Sequence, residues 1–201
     1  RRIYEYVNYL KDQDIEKAFK TSDLFWVYSI NYYDSNTEKT SCNYIKIWSR
    51  SNDSIDFDYG FIENNESKEV DYSGKFYKTH VIGMDNVRVE KRNISNAILT
   101  TTNANGEAKS SNYSLLYSDY NKCLILLVLD DNIYSGNGCI ALLTDSAARE
   151  GMNHTKKRLD WSKCENVFFN GCIRHSDNQK ILFNETCKKP SSELFYWKLR
   201  K

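Results

Sequence analysis

Short apolar runs separated by polar turn residues recur along most of the chain. The clearest pair is Leu124–Leu129 and Ile140–Leu143, each preceded by a cysteine and separated by the turn-forming sequence DDNIYSGNG. Apolar runs of four to six residues between turn residues indicate β-strands rather than helices. Both faces of the first run are apolar, which predicts a strand in a barrel wall or between two apolar layers.

A regular alternation of apolar and polar residues lies between positions 55 and 62. It predicts a strand with Asp56 and Asp58 facing solvent. The inward face would comprise Ile55, Phe57, Tyr59 and Phe61.

Further strands are predicted on both sides of this one. The first runs from Leu24 to Tyr33 and would direct Trp26, Tyr28, Ile30 and Tyr32 to one face. The others are Cys42–Arg50, a strand from Val70 to Met84 bent at Gly74, Val87–Val89, Ala97–Thr102 and Asn112–Tyr117. About eight strands joined by short polar loops favour an all-β fold with flanking helices, an eight-stranded antiparallel up-and-down barrel, over a sandwich.

The ends of the chain show helical spacing instead. Apolar residues from Ile3 to Phe19 recur every three or four positions, TDSAAREG predicts a short helix ending at Gly151, and Asp160 is a candidate cap for a helix carrying Trp161, Cys164, Val167 and Phe168. We therefore predict a single domain over 1–201. The barrel would span about 22–143, a helical and extended segment 144–190, and a tail 191–201.

Charge and composition exclude several classes of protein. Lys and Arg number 28 against 27 Asp and Glu, which disfavours a nucleic-acid-binding protein. No apolar run approaches the roughly 18–20 residues needed to span a bilayer. The chain opens with RRIYEYVNYL, which is not a signal peptide and is compatible with a mature form whose leader was removed.

Cysteines and glycosylation sequons indicate a secreted, extracellular protein. Six cysteines occur without CxxC or Cys/His spacing, which predicts disulfides and no metal site. Six N-x-S/T sequons are candidate glycosylation sites, and together with the cysteines they favour an oxidising, glycosylating route. They begin at Asn52, Asn65, Asn93, Asn112, Asn153 and Asn184.

The residues that could carry catalysis do not form a recognisable set. His80, His154 and His175 lie in unrelated contexts, and no Ser or Cys stands in a nucleophile motif. The acid pairs at 56/58 and 130/131 are better explained as strand and turn residues than as a cation site. We predict no enzyme activity and no cofactor.

The predicted barrel has an aromatic interior. Its inward candidates are Tyr28, Tyr32, Phe57, Tyr59, Phe61, Phe76 and Tyr113. Rings with polar tips suit a mostly apolar ligand that needs a few orienting hydrogen bonds. An eight-stranded barrel can equally be filled by its own side chains, and composition does not decide between the two.

Several motifs resemble the tick salivary lipocalins of the histamine-binding-protein family. They are DIEKAF, FWVYSINYY, the cysteine-led strand at Cys42, YSDYNKC, GC-x-x-x-L at Cys139, and the late Cys164 and Cys187. The resemblance covers most of the chain from Asp14 to Cys187 and implies a lipocalin barrel. It also implies the disulfides Cys42–Cys187, Cys123–Cys164 and Cys139–Cys172.

Members of this family bind small inflammatory mediators, either biogenic amines or lipids such as leukotrienes. The resemblance places Tyr113 and Ile140 where amine-binding members carry acids, and leaves Asp34 at the mouth as the matching carboxylate. Leu142 lies on the same final strand and is a further ligand candidate. An eicosanoid would need an apolar tunnel with a cationic end, for which Lys46, Arg50, His80 and Arg88 are candidates.

Three hypotheses follow for a monomeric protein. In the first, the barrel sequesters an apolar, fatty-acid-derived mediator. In the second, Asp34 and interior tyrosines hold histamine or serotonin. In the third, the barrel is filled, and the loops, glycans and the tail ending in FYWKLRK bind a host protein.

Overall fold

The computed structural model describes residues 7–82, 89–129, 138–152, 163–172 and 179–191. The strands are β1 Leu24–Ile30, β2 Thr40–Arg50, β3 Ser54–Glu63, β4 Glu66–Tyr77, β5 His80–Ile82, β6 Val89–Lys91, β7 Ala97–Thr102, β8 Lys109–Ser118, β9 Cys123–Val128, β10 Cys139–Leu143 and β11 Lys180–Ile181. The α-helices are α1 Ile15–Phe19, α2 Ser35–Glu38, α3 Asp145–Glu150 and α4 Lys163–Gly171, and 3-10 turns span Val7–Asp12 and Ala104–Gly106. None of these helices is long and apolar enough to cross a membrane.

Eight of the strands form a closed antiparallel barrel. They follow the order β10-β9-β8-β7-β4-β3-β2-β1, and β10 pairs back onto β1 from Trp26–Leu143 to Ile30–Ile140. The predicted eight-stranded up-and-down barrel with flanking helices is therefore confirmed. Closure leaves neither β1 nor β10 with an unpaired edge along that seam.

The single face predicted for β1 is wrong: Trp26 and Tyr28 share one face, whereas Ile30 and Tyr32 line the cavity. The register against β10 shifts between Val27 and Ser29, which marks a bulge. Val27 and Ile30 consequently line the interior, whereas Trp26 and Tyr28 pack outside the barrel. On that outer side the Trp26 indole donates a hydrogen bond to Asp145 (2.9 Å).

The C-terminal segment enters the barrel wall where β1 and β2 separate. β1 pairs with β2 only from Leu24 to Trp26, and farther along its Ser29 and Ile30 pair with β11. The amide of Leu182 donates to the Tyr28 carbonyl (2.9 Å), and the amide of Cys42 donates to the Leu182 carbonyl (3.0 Å). Leu182 is 3% exposed and belongs to the interior core, so this segment is part of the wall.

Three disulfides fix the segments that follow the barrel. Cys42–Cys187 joins β2 to the C-terminal segment, Cys123–Cys164 joins β9 to α4, and Cys139–Cys172 joins β10 to the residue after α4. These are the same pairs that the family resemblance implies. The first closes the longest loop, with a sequence separation of 145 residues.

The strand predicted from Val70 to Met84 is two strands in the structure. β4 ends at Tyr77, and β5 pairs with β6 in a separate two-stranded sheet. Asn96 bonds to the chain at this break. Its side-chain oxygen accepts a hydrogen bond from Thr79 N (2.8 Å), and its backbone amide donates to the Tyr77 carbonyl (3.1 Å). Gly74 lies where β4 pairs without interruption with both β3 and β7, and a Cβ atom there would come 2.5 Å from Ile98 Cδ1.

The inward face predicted for β3 is found in the structure, but one outward residue differs. Asp56 is partly exposed and accepts a hydrogen bond from Ser73, whereas Asp58 is only 4% exposed. Asp58 is paired in register with Lys46, and its charge adds to the effects of burial and of Glu69, which raise the pKa of Tyr44. The ring of Tyr44 lies over this outer face, and its hydroxyl donates a hydrogen bond to Glu69. The expected exposure of Asp58 is therefore wrong.

The helical predictions are confirmed where they fall on described residues. The N-terminal pattern forms a 3-10 turn and α1, α3 ends at Gly151, and α4 buries Cys164 and Phe168 against the barrel. Asp160, Trp161 and the tail after Ser191 lie outside the described residues.

Gly60 permits the close approach of Tyr44, since a Cβ atom there would lie 2.0 Å from Tyr44 Cζ. We expect Gly60→Ala to lower the free energy of unfolding by about 1–3 kcal/mol through overpacking. In a Tyr44→Ala background the same change should be neutral or stabilising, because the clash is gone and the unfolded chain loses entropy. Urea unfolding of the four proteins measures this; equal penalties in both backgrounds would contradict the contact.

Candidate ligand-binding cavity

The barrel encloses a cavity of about 720 Å³ that opens at one end. Its deep walls are apolar and include Phe19, Val27, Ile30, Ile45, Ile55, Ile98, Leu126 and Leu142. The closed end is sealed by α1, whose Phe19 stacks on Phe76 (6.1 Å between centroids) and meets Phe25 edge-on (5.8 Å). A volume of this size accommodates a drug-sized molecule.

An aromatic cluster covers one wall of the cavity. Strict pairing of β3 with β4 sets Phe57 opposite Tyr72, and their rings stack with centroids 5.4 Å apart. Tyr59 lies edge-on to Tyr72 at 6.3 Å and beside Phe61 at 5.9 Å. The hairpin thus presents flat apolar faces together with phenolic hydroxyls.

The hydroxyl of Tyr59 has a fixed orientation. It accepts a hydrogen bond from Nδ2 of the buried Asn43 (2.8 Å), and the same amide nitrogen donates to Thr40 Oγ1 (2.9 Å). Burial, more than the nearby Tyr113, Asp34 and Tyr72, raises the pKa of Tyr59. The group is therefore a neutral phenol whose own hydrogen can be donated to an acceptor on a ligand.

Charged residues lie around the mouth, where the β1–β2, β3–β4 and β7–β8 connections meet. Among the lining residues that the structure describes, the acids are Asp34 and Glu63 and the cations are Lys39 and Lys109. Asp34 caps α2 by accepting a hydrogen bond from Asn36 N (2.9 Å). Glu63 pairs with Lys68, whose hydrogen bond and charge lower the pKa of the Glu63 carboxyl.

A comparison with protein families places this chain. The model of the tick histamine-binding protein matches residues 5–189. The chain belongs to the tick histamine-binding protein family. No curated protein matches the sequence significantly. The family and the barrel are those of ligand-binding lipocalins.

Solved lipocalin structures share the fold at low sequence identity. Insecticyanin from the tobacco hornworm Manduca sexta aligns with a TM-score of 0.59 at 12% identity, over 90% of this chain and 86% of its own. The serotonin complex of AM182 aligns at 0.56 and 14% identity, over 87% and 92%. Japanin from Rhipicephalus appendiculatus, bound to cholesterol, aligns at 0.51 and 13% identity, over 85% and 98%.

Most of the ligand-binding residues that the sequence of this chain predicts lie on the cavity wall. They are Tyr32, Asp34, Phe57, Tyr59, Phe61, Tyr113, Ile140 and Leu142. Tyr28 does not, since it follows the inward Val27 and points outward, where it stacks near Phe183 (5.9 Å) and accepts a hydrogen bond from Met152 N (3.2 Å). Phe76 belongs to the apolar plug at the closed end rather than to the lining.

The cations proposed to meet a carboxylate are placed elsewhere. Lys46 points outward and donates to the Ser191 carbonyl (3.1 Å). Arg50 ends β2 at the closed end, where it pairs with Asp23 and donates to the Phe19 and Ser22 carbonyls. His80 is exposed on β5, outside the barrel, and Arg88 lies outside the described residues.

Several lining residues were not identified from the sequence. Tyr72 could have been found by counting the register back from the turn at Asn64–Asn65, which fixes it opposite Phe57. Asn43 follows Cys42, a residue with φ of 52° at a register shift in β2, which no sequence pattern announces. Lys39 lies between α2 and β2, and Lys109 is the first residue of β8, outside the predicted strand Asn112–Tyr117, so the period of a predicted strand gave neither an orientation.

The cavity argues against the alternative in which the barrel is filled by its own side chains.

The described residues do not offer an evident metal site. Their one compact group of candidate ligands is Asp119, Cys123 and Cys164, and the two sulfurs are joined in a disulfide, whereas metals bind the thiolate. His154 and His175 fall outside the described residues.

The sequons differ in their surroundings. Asn52, Asn65, Asn93 and Asn184 are exposed, whereas Asn112 is half-buried on β8. Asn153 lies outside the described residues.

Burial raises the pKa of Tyr59. The folded protein therefore holds the phenolic proton of Tyr59 more tightly than the unfolded chain, in which tyrosines titrate near pH 10. The contribution of protonated Tyr59 to the free energy of unfolding is fully present below pH about 10 and is lost as the pH rises further. We expect the loss of unfolding free energy between pH 9 and about 11.5 to be smaller in Tyr59→Phe than in the wild type. Denaturant titrations across this range measure it, and identical losses would place the raised pKa elsewhere.

Proposed function

We propose that this protein is a secreted lipocalin that sequesters an apolar, fatty-acid-derived mediator of the leukotriene or fatty-acid class. The observation that carries the proposal is the distribution of polarity in the cavity. The deep walls are aliphatic and aromatic, and the described acids of the lining stay at the mouth. A ligand ammonium ion buried in the interior would lack the paired carboxylate that it needs.

The polar groups of the interior suit a ligand with oxygen acceptors. Tyr59 offers a phenolic hydrogen at the aromatic wall, oriented by Asn43. A hydroxyl or carbonyl oxygen on a lipid chain would accept this hydrogen, with a net contribution of about 0.5–1.5 kcal/mol. The stacked rings of Phe57 and Tyr72 would pack against the hydrocarbon.

The mouth supplies cations for a terminal carboxylate. Lys39 precedes β2 and Lys109 begins β8, and both line the opening with exposed side chains. Lys39 and Lys109 would thus pair with the ligand carboxylate, the role for which the sequence offered Lys46, Arg50, His80 and Arg88 as candidates. Exposure to water limits the contribution of each to about 1 kcal/mol or less.

Asp34 favours a second candidate, a biogenic amine held at the mouth. Burial is the main cause of the raised pKa values of Tyr59 and Tyr72, and the negative charge of Asp34 adds to both, so the carboxylate and the phenols belong to one electrostatic environment. Against this, one Asp34 oxygen already accepts the Asn36 amide, and Lys39 lines the same opening.

Secretion and monomeric state remain part of the proposal. Three disulfides support an oxidising compartment, and the exposed sequons support a glycosylating route.

The first test is native mass spectrometry of protein from a secretory host, before and after mild organic extraction. We expect a releasable mass of about 280–350 Da, the range of fatty acids and eicosanoids that such a cavity encloses. Ile140→Trp, which places a large ring in the lining, should reduce the bound fraction. If no lipid is released and added leukotriene or fatty acid fails to bind, the lipid proposal is wrong.

Neutralising the mouth cations tests the position of the carboxylate. Lys39→Gln/Lys109→Gln should weaken binding of a free fatty acid by roughly 3- to 10-fold, with a smaller effect at high salt. The methyl ester of the same acid is the matched ligand, and its affinity should be unchanged. An equal loss for acid and ester would show that the lysines act through packing alone.

Calorimetry with histamine and serotonin decides the amine alternative. For the wild-type protein we expect both amines to bind with a Kd above about 1 μM, the value that corresponds to a binding free energy of about −8 kcal/mol. Tight amine binding that Asp34→Asn removes, while fatty-acid binding survives, would establish the second candidate and displace the first.

A further inference from the structure

Ser114 is a polar residue that the fold does not explain. It lies on β8 with 0% exposure, and its hydroxyl has no hydrogen-bond partner in the part of the chain that the structure describes. Its partners in register are the apolar Ala97 and Leu127. A buried hydroxyl without a partner destabilises the folded state, so alanine would fit this position better.

Ser114 is also the third residue of the sequon Asn112-Tyr113-Ser114. N-glycosylation requires a hydroxyl at this position of the acceptor sequence. At two other sequons the corresponding hydroxyl is used in the folded protein: Ser54 bonds with Ser51, and Thr186 donates to Asn184. The hydroxyl of Ser114 has no such use, which points to a role before folding is complete.

Asn112 forms part of an open groove on the outside of the barrel. The groove has a volume of about 460 Å³ and is lined by Lys75, Tyr77, Leu99, Asn112 and Leu129. The Tyr77 hydroxyl donates to Asn112 Oδ1 (3.0 Å), an oxygen that an N-linked glycan retains because the sugar is attached at Nδ2. The groove therefore begins at the atom group from which a glycan would grow.

We propose that Asn112 carries an N-linked glycan whose first N-acetylglucosamine unit lies in this groove. In the modification, Nδ2 forms a bond to C1 of the sugar of a lipid-pyrophosphate-linked oligosaccharide. The C1–O bond to the pyrophosphate breaks, Nδ2 releases one proton, and the lipid pyrophosphate leaves. The apolar face of the sugar ring then covers Tyr77, Leu99 and Leu129. The proposal rests on the secretory route inferred above, but not on the identity of the barrel ligand.

Peptide mapping of the full chain secreted from mammalian cells tests the modification. We expect the Asn112 peptide to be glycosylated in the wild type and in Ser114→Thr, and unmodified in Ser114→Ala. The exposed sequon at Asn52 is the internal control for passage through the glycosylation machinery. An unmodified Asn112 overturns the proposal whether or not Asn52 is occupied; an unmodified Asn52 as well would also count against the secretory route.

Thermal unfolding tests the two structural claims. In protein made without glycans, Ser114→Ala should raise Tm by about 2–4 °C, because an unpaired hydroxyl is removed; a lower Tm would show that the hydroxyl stabilises the fold. In secreted protein, Asn112→Gln should lower Tm by more than it does in protein made without glycans, where it removes only the Tyr77 hydrogen bond. Trimming each glycan to its first sugar should not lower Tm. If Asn112→Gln lowers Tm equally with and without glycans, or if trimming lowers Tm as much as Asn112→Gln, the sugar does not occupy the groove.

Discussion

The pairing of β1 is the constraint on which the rest of the structure depends. One edge of β1 closes the barrel against β10, and the other edge is shared by β2 and the C-terminal β11. Alternation with the inward Val27 points Trp26 and Tyr28 out of the barrel, and the bulge that follows brings Ile30 rather than Ser29 to the interior. Two large rings that would otherwise crowd the interior instead leave room for a cavity.

The displaced rings organise a second core outside the barrel. Trp26 and Tyr28 pack against Phe183, and Cys42–Cys187 holds the segment that carries Phe183. The neighbouring Leu182 fills the wall from the same segment. Chain-entropy arguments give the closure of so long a loop up to about 5 kcal/mol. The C-terminal segment is thus as much a part of the barrel as the strands that precede it.

The direction of side chains was predicted most accurately from the sequence where two strands pair without interruption. β3 matches β4 residue for residue from Ser54 to Glu63, so strict alternation correctly placed Phe57, Tyr59 and Phe61 inside. In β1 and β2 the register shifts, and a one-residue shift reverses every later side chain. No local pattern marks such bulges, because they result from pairing with distant strands. The same limit explains why the sequence did not fix the direction of Lys46 and did not identify Asn43 as a lining residue.

Volume and selectivity have separate origins in this barrel. The volume follows from backbone register and from the plug formed by Phe19 and Phe76, neither of which recognises a functional group. In the function we propose, selectivity rests on few side chains: a neutral phenol at Tyr59 within the wall, and Asp34, Lys39 and Lys109 at the mouth. Because a buried charge needs a buried partner, a ligand that carries its charge at one end can bind only with that end at the mouth. The orientation of such a ligand is therefore set by the position of the charged residues, while the interior requires only that the remainder be apolar.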